Sequence, residues 1–238
     1  MIRIPKVYTI LLLALLFAAS CRQAFKPQMR NEKKEIAEFD KIHASGNVEL
    51  IYTQNGFYSV EMDQKEKDPN KTVLFVKDST LVIRIDEMTV PHGKHKKVII
   101  RISSPKIREI CVSKAADFTS AHLSADSLFL HSNNGSDIAI GELAIKKHCK
   151  MIFSKGVDCK IGKLSAQNLT LSCSEACDIS LRQLSTQNIQ LTASGGTDIV
   201  LQGKTEWITL HSGSGSDICL RELRYTNLTD NGPRRSVK

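Results

Sequence analysis

Aromatic side chains are scarce in this sequence, and its basic residues are mostly scattered. Aromatic residues make up 5% of the 238 residues, with a single tryptophan. The formal net charge is +8, and it falls to +6 without the first 20 residues, which carry two basic and no acidic side chains. A nucleic-acid surface combines a dense basic patch with aromatic stacking partners. The composition therefore excludes nucleic acid as the expected partner.

Motifs that mark common enzymes are also missing. The sequence contains no nucleophile elbow, phosphate-binding loop, HExxH or Cys-x-x-Cys motif. Its histidines do not converge, because His131 and His211 occupy equivalent positions four repeats apart. His92 and His95 lie in or beside the one dense basic segment, residues 94–97, which is typical of a solvated loop or of contact with anionic lipid or an acidic glycan. We predict no catalytic residue, no metal site and no cofactor.

The N-terminal apolar run is too short to cross a membrane. Ile10–Ala19 has ten residues, whereas a spanning helix needs roughly 20. The run follows the basic residues Arg3 and Lys6 and ends in small residues, which is typical of a signal peptide over residues 1–20.

Cys21 follows these small residues directly and resembles the lipid-bearing cysteine of a bacterial lipobox. Such a box usually has leucine three residues before the cysteine, where this chain has Ala18. We predict lipidation of Cys21, a polar tether over residues 21–38, and anchoring in a bacterial cell envelope, at the outer membrane or its periplasmic face. The alternative is an ordinary secretory peptide that leaves Cys21 as a plain thiol.

An aspartate recurs every 19 to 21 residues in the second half of the chain. The members of this aspartate column are Asp117, Asp137, Asp158, Asp178, Asp198 and Asp217. Apolar residues fill most positions one, three and six residues after each aspartate, and seven and nine residues before it. Spacing by two is the period of a strand, so each repeat is predicted to hold two short strands with a turn between them.

One such repeat cannot bury its apolar side chains alone, but coils stacked about 4.8 Å apart bury them as continuous ladders. We therefore predict an all-β fold, a right-handed single-chain β-solenoid with coils of about 20 residues over residues 39–228. Residues 39–110 alternate less regularly and are expected to form an irregular N-terminal cap, or else a separate small domain. Residues 229–238 are predicted to be a disordered tail.

The leader and the segments FDKIHASGNVELIYTQNGFYSVEM, STLVIRI and SGSGSDICL together resemble the bacterial head GIN domain family, labelled "putative autotransporter adhesin". The resemblance covers Phe39 to Leu223. It implies a β-solenoid in an envelope protein, and its motifs carry no catalytic signature.

Carboxylates repeated once per coil would lie about 5 Å apart, where like charges repel. They could accept hydrogen bonds from the backbone of their own turns. Basic side chains such as Lys114, Lys155 or Arg182 could cover them, or calcium ions could lie between them. We favour the first arrangement, so the aspartate column is predicted to be structural.

Six cysteines follow Cys21. Cys149, Cys159 and Cys173 occupy positions that are apolar in the other repeats, which predicts buried core thiols. Cys173 and Cys177 flank one turn and are the single pair worth testing for a disulfide.

Trp207 is the one candidate for ligand contact. It shares its repeat position with Asn168 and Asn188, and this position alternates away from the apolar ones. The indole can therefore face outward and stack on a sugar, or pack beneath a C-terminal cap. The two asparagines are predicted to form a side-chain ladder between coils.

These patterns predict a non-catalytic envelope lipoprotein whose strand faces bind a glycan or a protein. The alternative is a polysaccharide lyase or hydrolase with its groove near residues 86–97, although coils of constant length leave little material for a cleft. A further alternative is a scaffold that stacks end to end.

Overall fold

The computed structural model describes residues 36–63, 72–85 and 97–232. Strands account for 75% of them and helices for none, and the strands wind into a β-solenoid of about six turns with coils of about 20 residues. The predicted all-β solenoid is confirmed. No described residue belongs to a helix of the length and hydropathy that a membrane crossing requires.

Several predictions concern residues outside the described ranges. These are the signal peptide, Cys21 and the tether as far as residue 35. They also include His92, His95, most of the segment 86–97 and the tail from residue 233. The last strand continues to Asp230, two residues beyond the predicted end of the solenoid.

The regular part of the solenoid consists of long parallel strands, one per coil. These are β8 (Asp117–Asn133), β9 (Asp137–Ser154), β10 (Asp158–Ser174) and β11 (Asp178–Ala193). In the next coil the strand is split into β12 (Asp198–Lys204) and β13 (Trp207–Ser212), followed by β14 (Asp217–Arg224) and β15 (Asn227–Asp230). Neighbouring coils pair aspartate to aspartate, as between Asp158 and Asp178.

The expectation of two short strands per repeat is wrong for β8 to β11. Their hydrogen-bonded ladders run through the corner of the coil, where the register shifts, as between Ala125 and Ser127 of β8 and between Ser165 and Asn168 of β10. Such bulges let a strand bend sharply without ending.

Inward side chains form the core as stacked columns. In the coil around β10 they are all buried: Val157, Cys159, Ile161, Leu164, Ala166, Leu169, Leu171 and Cys173. Burying a leucine or isoleucine fully contributes about 1.5–3 kcal/mol, and each coil gains this only because its neighbours cover it. The predicted apolar columns are confirmed. The column one residue before each aspartate was missed, because it mixes Ala, Ser, Val, Cys and Thr.

Each regular coil closes in a tight turn at two residues with positive φ. Asn134 and Gly135 have φ of 56° and 70°, and Glu175 and Ala176 have φ of 59° and 63°. Glycine adopts this region without strain, which explains why glycine recurs in these turns. The turns also stack, since the Gly135 N–H donates to the Lys155 carbonyl at 2.9 Å. The hydrogen-bonded ladder therefore includes the turns.

The N-terminal coils are interleaved. β1 (Lys41–Ser45) pairs in parallel with both β5 (Thr80–Ile85) and β7 (Glu109–Ser113). β2 (Val48–Gln54) likewise lies between β6 (Val98–Ser104) and β8. The first coil of the sequence is therefore the second in space.

Two antiparallel strands border this end of the solenoid. β3 (Ser59–Met62) pairs with β6, and β4 (Thr72–Lys77) pairs with β5. Antiparallel pairing gives this end a different pattern from the parallel coils, and the predicted irregular N-terminal cap is confirmed.

Candidate binding surface

The aspartate column runs along the surface beside the turns. Asp137, Asp158, Asp178 and Asp198 are exposed, while Asp117 and Asp217 are half-buried. The Asp117 carboxylate accepts a 3.2 Å hydrogen bond from the backbone N–H of Asp137 in the next coil, and it forms an ion pair with Lys97. Partial burial, followed by the charges of Asp117 and Asp158, raises the pKa of Asp137.

The residue before each aspartate contributes hydrogen bonds within the turn. The hydroxyls of Ser136 and Ser216 donate to the carbonyls of Asn133 and Gly213, at 3.0 and 2.9 Å. The thiol of Cys177 makes the equivalent contact with the Ser174 carbonyl at 3.1 Å. Each bond closes a turn from inside, a role that the sequence interpretation gave to the aspartate. The structural role of the aspartate column stays a prediction.

The cysteines lie mainly in the core, as predicted. Cys149, Cys159, Cys173 and Cys177 are buried, and all six cysteines in the described residues are free thiols. The proposed Cys173–Cys177 bridge is therefore not formed in this structure. Burial raises the pKa of Cys149 to about 12, and burial with neighbouring thiols raises the pKa of Cys159 well above its ordinary value.

Trp207 faces outward, with 55% of its surface exposed. It pairs in register with Asn188 on one side and Asn227 on the other. The predicted asparagine ladder is confirmed, because the Asn188 amide donates to the Asn168 side-chain oxygen at 2.9 Å. An aromatic face and a row of amides therefore lie along one line across the coils.

A groove follows the corner of the coils beside this line. We call it the corner groove, and it consists of two adjoining cavities of about 560 and 720 Å³ that share Ile145, Lys146 and Ser165. The C-terminal cavity is lined by residues 165–167, 185–187 and 204–206, and the N-terminal one by residues 106–108, 124–127 and Asp40. The small side chains that let the strands bend also leave this concave surface.

Both cavities contain a buried oxygen without a hydrogen-bond partner among the described residues. In the C-terminal cavity it is the hydroxyl of Thr186, which is 8% exposed. In the N-terminal cavity it is one carboxylate oxygen of Asp40, whose other oxygen accepts a 2.8 Å bond from Arg108. Buried polar atoms normally have partners, so these two oxygens are unsatisfied positions in the walls of the groove.

Charges along the corner groove are mixed. Lys146 pairs with Asp126 at 2.8 Å, and Lys204 and Glu206 contribute one charge of each sign to the C-terminal cavity. Gln167 and Gln187 add neutral amides there. The groove therefore suits a neutral polar ligand better than a strongly charged one.

A separate cluster lies on the N-terminal coils. His43 on β1 is directly opposite Cys111 on β7, and the His43 Nε2 lies 2.6 Å from the Glu109 Oε1. Burial and the nearby Glu109 carboxylate raise the pKa of Cys111 to about 12. Sequence reasoning missed this cluster, because 66 residues separate His43 from Glu109 and no repeat spacing connects them.

Comparisons with known proteins agree with this architecture. The sequence model of the family described as "Putative auto-transporter adhesin, head GIN domain" matches residues 38–231. No curated protein matches the chain significantly.

Several solved structures have a similar fold. An adhesin-like protein of Bacteroides fragilis, described as "a putative adhesin", shares 22% identity at a TM-score of 0.72, covering 85% of this chain and 93% of its own. One of the same description from Parabacteroides merdae shares 15% at a TM-score of 0.52, with coverage of 85% and 93%. A "putative lipid binding protein" from Parabacteroides distasonis shares 12% at a TM-score of 0.50, with coverage of 85% and 94%. At these identities the similarity shows the fold alone.

Proposed function

The chain belongs to the head GIN domain family, and on that premise we propose that it is a non-catalytic adhesin of a bacterial cell envelope that binds a neutral glycan along the corner groove. The family and its adhesin-like structural neighbours support a role in adhesion. The glycan ligand is proposed from the chemistry of the surface.

The observation that carries this proposal is an exposed tryptophan, Trp207, directly after residues that line the C-terminal cavity. Thr205 and Glu206 line the C-terminal cavity, and the exposed indole follows them directly in the chain. The Thr205 hydroxyl bonds the Gln187 carbonyl at 3.1 Å, which fixes this segment against the previous coil. A held, exposed aromatic face next to a polar groove is an arrangement suited to stacking on a sugar ring.

The polar side chains complement such a ligand. Gln167 and Gln187 lie in adjacent coils, next to the Asn168–Asn188 ladder, so amide donors and acceptors repeat once per coil. Coils are spaced about 4.8 Å apart, which is comparable with the length of one sugar unit in an extended chain.

The lining of the C-terminal cavity supports binding rather than hydrolysis. Glycoside hydrolases use a pair of carboxyl groups on either side of the scissile bond. Among the described lining residues of this cavity, Glu206 is the one carboxylate. The segment 86–96, where the enzyme alternative would place its site, lies outside the described residues.

We propose that the adhesin is attached to the membrane by a lipid on Cys21, after removal of residues 1–20. Metabolic labelling with a fatty-acid analogue tests this in a bacterial host. Wild-type protein should be labelled and Cys21→Ser should not. Equal labelling of both would mean that Cys21 carries no lipid.

Binding to an array of neutral polysaccharides tests the ligand, using the full chain and two variants. Trp207→Ala should weaken binding roughly tenfold, the size expected for losing one aromatic contact of about 1.5 kcal/mol. Phe75→Ala is the matched control, since Phe75 is a 39% exposed aromatic residue on β4, at the N-terminal end of the sheet and outside both cavities. Equal binding by wild type and Trp207→Ala, or no polysaccharide bound, would contradict the glycan proposal. Turnover of a bound polysaccharide would contradict the non-catalytic role.

A further inference from the structure

The cluster on the N-terminal coils has the donor atoms of a transition-metal site. His43 offers an imidazole nitrogen, Cys111 a thiol sulfur and Glu109 a carboxylate oxygen, and these atoms all lie within 4.8 Å of one another. The Cys111 sulfur is 3.7 Å from the Glu109 Oε1, and the His43 Nε2 is 2.6 Å from that oxygen.

Two neighbouring strands hold these side chains rigidly. β1 and β7 pair in parallel, with His43 opposite Cys111, and Glu109 lies two residues before Cys111 on the same face. Each strand is bordered on its other side as well, β1 by β5 and β7 by β8. Sites built on paired strands are held more precisely than sites on loops.

The cluster is also accessible. His43 and Cys111 line a shallow cavity of about 270 Å³ together with residues of β5 and β8. The side chains of His43 and Glu109 are 43% and 25% exposed, and Cys111 is half-buried. An ion could therefore reach the donors without any strand moving.

The mixture of donors selects among metals. Calcium and magnesium prefer oxygen ligands alone. Imidazole and thiolate suit zinc, which binds nitrogen at about 2.0–2.1 Å and sulfur at about 2.3 Å in tetrahedral geometry. Those bond lengths place two ligand atoms of one zinc ion roughly 3.5 Å apart, so the cluster would need only small side-chain rotations.

We propose that His43, Glu109 and Cys111 bind a zinc ion on the outer face of the N-terminal coils. Three protein ligands leave the fourth position of the tetrahedron to water. Binding exchanges the thiol proton of Cys111 for the metal, and the released proton goes to solvent. The ion links β1 to β7, two strands that are more than 60 residues apart in the chain.

The site is tested by zinc titration of the untagged full chain against a chromophoric chelator. Wild type should bind one zinc ion, and Cys111→Ser and His43→Gln should each weaken binding at least about tenfold. Two matched controls should bind like wild type. Cys219→Ser removes another half-buried thiol, and His211→Ala removes an outward histidine at the equivalent position of a later coil.

Cobalt substitution identifies the ligand atoms. The cobalt-loaded wild type should show thiolate-to-cobalt charge-transfer absorption in the near ultraviolet, and Cys111→Ser should lack it while Cys219→Ser keeps it. Denaturation without metal shows whether each variant folds. The proposal is overturned if folded wild type binds no stoichiometric zinc, or if folded Cys111→Ser keeps wild-type affinity and the charge-transfer band.

Discussion

The carboxylate of Asp117 and the backbone of Asp137 are joined across two coils, because Asp117 Oδ1 accepts the Asp137 N–H at 3.2 Å. Lys97 forms an ion pair with the same carboxylate. Asp137 lies between Asp117 and Asp158 in the column, and its pKa is raised by burial first and by those two charges next. These two neighbours in the column therefore have different surroundings. Asp117 has a basic partner, whereas Asp137 lies between two other carboxylates.

Asp137→Asn should stabilise the protein at neutral pH. A raised pKa in the folded state means that the ionised Asp137 costs stability above that pKa. This cost disappears as the pH falls through the folded pKa toward the ordinary value of 3.8. Since Asp137 is exposed, we expect a gain of roughly 0.5 kcal/mol at pH 7 and none near pH 3. Urea denaturation at both pH values measures it.

Asp126→Asn is the control, because the pKa of Asp126 is shifted in the opposite direction. Lys146 lowers it, whereas burial and neighbouring carboxylates raise the pKa of Asp137. That variant should be no more stable than wild type at pH 7. A stabilising effect of the same size in both variants would mean that the gain does not come from repulsion within the aspartate column.

Ala176→Gly should stabilise the protein by about 1 kcal/mol. Ala176 has a φ of 63°, a conformation that costs a residue with a Cβ about 1–2 kcal/mol, whereas glycine adopts it freely. The gain should appear as a higher urea midpoint with an unchanged m-value. Gly156→Ala makes the reverse change at the equivalent position of the preceding turn. The added Cβ would meet no atom within 4 Å there, so only the backbone conformation is tested. It should lose a similar amount, and a neutral result for both variants would contradict the strain argument.

The buried thiols should resist alkylation until the protein unfolds. Cys149, Cys159, Cys173 and Cys177 are buried, and the pKa of Cys149 is raised to about 12, so little reactive thiolate forms at pH 8. Iodoacetamide labelling with peptide mapping should modify half-buried Cys219 first and these four only in denaturant. Labelling of any of the four in folded protein, or a mapped Cys173–Cys177 disulfide, would contradict the free buried thiols.

The asparagine ladder should contribute a small coupling energy. A double-mutant cycle of Asn168→Ala and Asn188→Ala isolates the 2.9 Å hydrogen bond between them. We expect about 0.5 kcal/mol, since the bond is exposed and competes with water. A control cycle uses Gln190→Ala in place of Asn188→Ala. Gln190 is another outward residue on β11, and it should show no coupling with Asn168. Equal coupling in both cycles would mean that strand packing, and not the amide bond, produces it.

The regular coils could be predicted because each repeats the same chemistry at nearly the same spacing. The aspartates indicated the length of the repeat, and alternation placed Leu171 inside. It left Trp207 either outward or beneath a C-terminal cap, and the structure shows the indole facing outward. The side-chain ladder of Asn168 and Asn188 followed from in-register stacking. A parallel solenoid turns a sequence period directly into spatial neighbours, so local patterns were sufficient there.

Other features depend on contacts that no period records. β1 contacts β5 and β7, whose positions in the chain do not follow the 20-residue spacing, so the meeting of His43 with Cys111 had no sequence signal. The corner groove was missed because its small polar residues resemble those of any turn. The buried hydroxyls of Ser136 and Ser216 were overlooked because their column alternates between polar and apolar residues. Serine directly before the repeated aspartate was the available clue.

The interleaving of the N-terminal coils sets the direction in which this molecule can change length. The spatial order of the N-terminal coils differs from their order in the sequence, so duplicating a stretch of the chain there would not place the new coil between two neighbours in register. Between Asp137 and Asp198 each coil contacts only its two neighbours in register. Duplicating one 20-residue unit there would extend the solenoid by about 4.8 Å and carry the corner groove with it. The N-terminal end is therefore a fixed base, and in-frame duplication or loss of coils can adjust the reach of the protein from that base.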